Sequence, residues 1–166
     1  LEPTSLNAIA HTSVEFMRNA IELSMPALHA RLVIEEEFDT ALPAVPASGV
    51  ELQQVLVNLL KNAAQAIQEA RREAPLIRIS TRLVPPFAEI RVEDNGIGMN
   101  ISTSRQIFDP FFTTKAVGQG TGLGLSISHF IIGQRHHGRI EVSSTPGEGT
   151  TFILSLPLQQ PSQPSA

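Results

Sequence analysis

Three groups of residues in this sequence have the types and spacing to do chemistry. Asp94 closes an alternating run, Glu89-Ile90-Arg91-Val92-Glu93, and is followed by Asn95-Gly96-Ile97-Gly98-Met99. Alternation is the period of a strand, and the two glycines let backbone approach a ligand with no β-carbon in the way. A second glycine cluster, Gly118-Gln119-Gly120-Thr121-Gly122-Leu123-Gly124, stands directly before an apolar pattern of helical period. The third group is a polar stripe, Gln54, Asn58, Asn62 and Gln65, at steps of four or three along one helix face. Asparagine is a mediocre helix former, so two of them on one mid-helix stripe need a reason. By spacing alone the stripe reads equally as a site or as a partly exposed polar edge.

Together these groups describe a nucleotide held between a carboxylate and a helix N-terminus. Gly120-Thr121-Gly122-Leu123-Gly124 opening a helix offers backbone N–H groups and the positive end of the helix dipole to phosphates. Magnesium takes oxygen ligands and keeps several waters, so one amide oxygen beside phosphate oxygens is a typical protein share. Asn62 is placed to give that oxygen. Lys61, one residue off the stripe, or Lys115 can neutralise phosphate charge. Asp94 can accept from the exocyclic amine of adenine, which guanine lacks at that position, and a wrong base would leave the carboxylate unpaired. The dinucleotide fingerprint does not fit, because it needs G-x-G-x-x-G directly after a strand. Here the glycines read G-x-G-x-G after a long loop, and no G-x-x-x-x-G-K-[ST] run exists.

The elements that must position these residues follow from periodicity. Residues 6–28 read as an amphipathic helix and 31–38 as a short strand ending in polar residues. Pro43 and Pro46 punctuate a loop to Ser48-Gly49. The clearest helix spans 50–72, with Ser48 as N-cap and Pro75 beyond its end. Strands are predicted at 76–84 and 88–93, joined tightly through Pro85-Pro86. Residues 100–118 break the pattern and read as a long loop around Phe108, Phe111 and Phe112, with glycine hinges suited to a lid. A helix over 123–135, a hairpin of strands at 139–144 and 150–157, and a disordered tail at 159–166 complete the chain. One domain over residues 1–158 is expected.

Composition agrees with that organisation. The 166 residues, 42% hydrophobic and 17% charged, describe one globular domain with a real core. A net charge of −4 gives no reason to expect nucleic acid as a partner. With no cysteine, disulfides and thiolate metal sites are excluded. The apolar runs are too short for a bilayer, and Leu1-Glu2-Pro3 reads like the start of an excised fragment. His136 and His137 are adjacent and point apart, with no third ligand at sensible spacing, so metal binding is not expected there.

It is the ordered set that is specific. Gln54-x-x-x-Asn58-Leu59-Leu60-Lys61-Asn62-Ala63 comes first, then Asp94-Asn95-Gly96-Ile97-Gly98-Met99. Phe108-Asp109-Pro110-Phe111-Phe112-Thr113-Thr114-Lys115 follows, then Gly120-Thr121-Gly122-Leu123-Gly124-Leu125, then Gly149-Thr150-Thr151-Phe152. This resembles the catalytic and ATP-binding domain of sensor histidine kinases, from its asparagine box to its second glycine box, over residues 51–157. The resemblance implies an α+β fold of Bergerat type, a two-layer sandwich of a mixed, mostly antiparallel sheet with helices on one face. It implies ATP and Mg2+ as ligands, Asn62 as the magnesium ligand, and Asn58 and Lys61 beside it in catalysis. Asp94 with Gly96 and Gly98 would read adenine, helped by Thr150. Gly120, Thr121, Gly122, Leu123 and Gly124, with Lys115, would surround the phosphates. The phenylalanines would dock the lid or meet the helix carrying the acceptor histidine.

Two departures sharpen the expectation. Gyrase-, Hsp90- and mismatch-repair-type relatives carry a glutamate as general base where this chain has Asn58, an amide that cannot accept a proton. That argues for a kinase over an ATPase. The family's acceptor histidine is followed by an acidic residue and shortly by Pro-Leu, and none of the five histidines, His11, His29, His129, His136 or His137, has that context. The acceptor is therefore expected upstream, on a separate dimerisation domain, with a response regulator as indirect partner. No direct membrane contact and a cytoplasmic location are expected. The alternatives are a same-fold ATPase or protein-serine kinase, and a non-catalytic nucleotide-binding module.

Overall fold

The computed structural model describes residues 1–114 and 122–161. Its organising element is the helix α3, Gly49–Ala70. Ser48 caps it by accepting from the Glu51 N–H, and Glu51 in the first turn complements the helix dipole. Leu52, Val55, Leu56, Leu59, Leu60, Ala63, Ala64 and Ile67 recur at helical spacing and are all buried. Arg71 in the left-handed region (φ 51°) ends the helix and turns the chain toward the sheet.

That sheet has five strands, β2 (Val33–Phe38), β4 (Leu76–Val84), β5 (Phe87–Asp94), β6 (Arg139–Thr145) and β7 (Gly149–Pro157), in the order β2-β4-β5-β7-β6. β2 runs parallel to β4 and every other pairing is antiparallel. The sheet is mixed, with the helices on one face, as expected. Ile77, Ile79, Ala88, Ile90, Val92, Phe152, Leu154 and Leu156 alternate inward and form the core with α3 and α1 (Leu6–Ser24). Between them Arg78, Glu89 and Arg91 form ion pairs, as in Arg78–Glu35 at 3.0 Å and Arg82–Glu89 at 2.9 Å.

Three expectations about local structure are corrected. The first helix does not run through to residue 28. It ends at Ser24 and a short helix α2, Pro26–His29, restarts with proline at its first turn, where a missing N–H costs nothing. The Pro46 loop contains a strand, β3 (Val45–Ala47), which pairs antiparallel with β1 (Glu2–Thr4). Within the stretch read as loop, Ile101–Gln106 is a helix, α4, capped by the Asn100 side chain at 2.8 Å from the Thr103 N–H. α4 buries none of its side chains, so no apolar period announces it.

Helix α5, Gly124–Phe130, continues into a π-helical turn, Ile131–Arg135. His136, which is buried, closes that turn: Nδ1 pairs with the Ile131 carbonyl at 2.9 Å, and Nε2 accepts from the Ser48 N–H at 3.0 Å. Both ring nitrogens are thus used in joining the end of this turn to the start of α3. Among the described residues no cluster of three or more metal-binding side chains exists, and no helix is long and apolar enough to cross a membrane.

Candidate functional site

A cavity of about 580 Å³ opens between α3, the turn after β5, α4, the start of α5 and the β6–β7 turn. That volume lies within the range usual for small-molecule sites. Three residues of the α3 polar stripe, Asn58, Asn62 and Gln65, line one wall, with Lys61 beside them. Gln54, one turn earlier, does not. It lies in a separate shallow depression with Phe16, Val50 and Val57.

The two asparagines are in different states. Asn58 Nδ2 donates to the Ser128 hydroxyl of α5 at 3.3 Å, and that hydroxyl donates to the Gly124 carbonyl at 2.9 Å. Asn58 therefore ties α3 to the first turn of α5. Asn62 makes no hydrogen bond to any described residue, so its amide is available to whatever fills the cavity. Lys61 stands exposed at the rim without an ion pair among the described residues.

Across the cavity stands Asp94, the last residue of β5. Burial pushes its carboxyl up from 3.8 to about 6, against the opposing pull of the Gly96 and Thr150 N–H groups. The Gly96 N–H donates to Oδ1 at 2.8 Å. Gly96 itself does not line the cavity. It is wedged against α3, where a β-carbon would come within 2.6 Å of the Ala66 backbone. The turn is fixed further by Ile97 N–H to Ala66 O at 3.1 Å and by Gly147 N–H to Ile97 O at 2.7 Å. Thr150, register partner of Asp94 across β5 and β7, lines the same end of the cavity.

Gly98, Gly122 and Gly124 also line the cavity, whereas Leu123 does not. Gly122 has φ 70° and accepts the Phe111 N–H at 2.8 Å; a β-carbon there would run into the Phe111 backbone. Lys115, Gly120 and Thr121 lie outside the described residues. Phe108 packs edge-on to Phe152 and beside His129, with ring centroids 6.4 and 5.2 Å away, while Phe112 faces the cavity.

Several supporting residues went unrecognised in the sequence. Arg72, just past α3, donates from Nε to Asn95 O at 2.8 Å and from Nη2 to the Gly96 and Gly147 carbonyls. Asn95 bridges back to β4, accepting from Leu76 N–H at 2.9 Å and donating to Ala74 O at 2.8 Å. Ser144 and Ser128 sit behind Thr150 and Asn58 respectively. Arg72 carried no signal, because a lone arginine after a helix is ordinary. Asn95 could have been found, since asparagine before glycine marks a turn whose side chain bonds nearby backbone.

A mixed sheet under a long helix thus sets a half-buried carboxylate across a cavity from an amide with no hydrogen-bond partner among the described residues. The model of the histidine kinase-, DNA gyrase B- and HSP90-like ATPases matches residues 47–160. The chain belongs to that family, as a nucleotide-binding domain of the sensor histidine kinase type. It is 41% identical over 158 residues to the signal transduction histidine-protein kinase AtoS of Escherichia coli (strain K12), covering 95% of this chain and 24% of AtoS. The chain thus spans about a quarter of the length of that relative. The catalytic domain of histidine kinase ThkA aligns with a TM-score of 0.79 at 28% identity, over 96% of this chain and 98% of that one. ThkA has also been solved in complex with the response regulator protein TrrA, and there the TM-score is 0.74 at 25% identity, over 95% and 41% of the chains.

Proposed function

We propose that the chain binds Mg-ATP in this cavity and transfers the γ-phosphoryl group to a histidine on a separate dimerisation and phosphoacceptor domain. The observation that carries the reading is the opposition, across one cavity, of a half-buried carboxylate, Asp94, and an amide unengaged among the described residues, Asn62. Asp94 with Thr150 takes adenine, and the phosphates extend toward Asn62 and the N-terminus of α5. Gly122, Gly124 and the neighbouring Gly120, Thr121, Leu123 and Lys115 belong to that phosphate end, with Lys61 at its rim.

The donor set suits magnesium. A single amide oxygen, with no cage of carboxylates among the described residues, leaves the ion to be completed by phosphate oxygens and water, which is how magnesium is ordinarily held. When bound, the ion would neutralise charge developing on the transferred group. Asn62 would hold it, and Asn58 would keep α5 at the right distance from α3 through Ser128.

Transfer to an outside nucleophile is favoured over hydrolysis by the absence of a base beside Asn62. The carboxylates that line the cavity among the described residues are Asp94 and Glu69, and Glu69 is exposed beyond the adenine end of the stripe. Association of relatives with a response regulator, as in the ThkA complex, supports an indirect recipient of the phosphoryl group here. A cytoplasmic location suits a domain that uses ATP. The test is phosphorylation with γ-labelled ATP and magnesium in the presence of a histidine-bearing dimerisation domain. Acid-labile label is expected from the native chain and at least about a hundredfold less from Asn62→Ala or Asp94→Ala. Undiminished labelling by both variants would reject the assignment.

A further inference from the structure

Ser144 lies on β6 behind Thr150 and does not line the cavity, yet its hydroxyl meets three partners. The Met99 N–H donates to it at 2.8 Å, the Gly149 carbonyl lies 3.1 Å away, and Thr150 Oγ1 lies 2.8 Å away. A hydroxyl has one proton and two lone pairs. The Met99 N–H can only donate, so it occupies one lone pair. The Gly149 carbonyl can only accept, so it takes the proton. One lone pair of Ser144 is left for Thr150, and Thr150 must therefore donate its own proton backward, away from the cavity.

We propose that Ser144 is a specificity-determining residue that locks Thr150 as a hydrogen-bond acceptor toward the bound base. Thr150 is buried, at 7% exposure, and its hydroxyl has no other partner among the described residues. With its proton committed to Ser144, only lone pairs face the cavity. Asp94 is its register partner on β5, so the base-reading end presents acceptors side by side. A 6-amino purine brings two N–H donors to that edge. A 6-oxo purine puts a carbonyl where that amine stood, so an acceptor aimed at the 6-position would meet lone pairs with lone pairs, and only the adjacent N1–H could still donate. The inference rests on the adenine reading above, in which Thr150 already stands beside Asp94, and adds the residue that enforces its polarity.

The test compares ATP with inosine triphosphate, which differs at the 6-position and lacks a 2-amino group, by calorimetric titration of the intact chain with magnesium. The native chain is expected to bind ATP at least about a hundredfold more tightly. In Ser144→Ala the Thr150 proton is released and can turn to a 6-oxo group. The preference for ATP should then fall about tenfold, with inosine triphosphate binding unchanged or tightened. Ser144→Thr, which keeps the hydroxyl, should restore the preference. In a Thr150→Val background, Ser144→Ala should change the ratio no further. If the alanine variant does not fold, Ser144→Cys carries the same test, since a thiol is only a weak donor and acceptor. Equal weakening of both nucleotides, or an unaltered ratio, would overturn the role of Ser144 while leaving the adenine reading intact. A native chain that binds neither nucleotide, or both equally, would overturn the adenine reading itself.

Discussion

Asp94 carries a cost that the role proposed for it explains. Its carboxyl titrates near 6 in the folded chain against 3.8 as the reference. The folded state therefore holds this proton more tightly than the unfolded chain does. By linkage, stability contributed here is greatest below the reference value, falls as pH rises between the two, and is fully lost above about 6. Asp94→Asn removes the ionisation while keeping the shape and the acceptor for the Gly96 N–H. Its amide nitrogen cannot accept from Thr150, which offsets part of the gain. The variant is expected to be about 1–2 kcal/mol more stable than the native chain near pH 8 and to lose that advantage near pH 5. Urea denaturation at the two pH values measures this, and a variant destabilised equally at both would show that Asp94 is not strained. The ligand side has the opposite sign. Adenosine, which has no titrating phosphate, should bind the native chain more weakly as pH falls through about 6, because a hydrogen bond to the ionised carboxylate is roughly twice as strong. At this scale Asp94 and Asn62 were legible because their types are costly where they stand, a carboxylate at a strand end and an amide in mid-helix, whereas Thr150, ordinary in a strand, came only from the family resemblance. Arg72, Ser128 and Ser144 were not, because a hydroxyl or guanidinium acquires its role only from partners distant in sequence, as with Ser128 and Asn58 across 70 positions.

The elements that hold the site are joined at their ends rather than along their lengths. Arg72, beyond the C-terminus of α3, binds carbonyls of the turn after β5 and of the β6–β7 turn, so one side chain ties together three walls at the Asp94 end of the cavity. Arg72→Ala should leave these carbonyls to water and loosen the turn. Hydrogen bonds to charged donors are worth about 1.5–3 kcal/mol when desolvated, and this one is only part-buried, so a loss of about 1–2 kcal/mol in stability is expected. ATP affinity should drop about tenfold through misplacement of Asp94. Arg72→Lys should recover less than half of either, because an ammonium cannot reproduce the guanidinium fork. Thermal melts and ATP titration of both variants check this; full recovery by lysine would mean that charge, not geometry, is what the turn needs. The long helix and the strands were readable because burial imposes period 3.6 on α3 and period 2 on β4, β5 and β7. The β1–β3 ribbon was not, with three residues a side and a proline within β3. Nor was α4, whose Ser102, Thr103 and Ser104 read as loop and whose one signal was the Asn100 cap.

For the whole molecule, the proposed function separates nucleotide binding from phosphoryl acceptance. One face of the sheet is ion-paired and open, the other is sealed by α1 and α3, and the cavity lies at the edge of that helical layer. No histidine lines it among the described residues. His136 is buried behind α3, His129 lies beside Phe108, and His11 pairs with Glu36 at 2.9 Å. Asn58, where a water-activating carboxylate would stand, is bound to Ser128 and has no proton-accepting chemistry. The chain alone should therefore bind Mg-ATP and keep it. Loss of a general base costs about 10²–10⁴ in rate, so phosphate release by the isolated chain is expected to be at least about a hundredfold slower than phosphoryl transfer with an acceptor-bearing domain present. Acid-labile phosphoprotein should appear only in the second case, and on the added domain. Parallel measurement of phosphate release and of acid-labile label, with and without that domain, separates the outcomes. Label on a histidine of this chain would place the acceptor within the fold, and rapid phosphate release without label would make the domain a hydrolase.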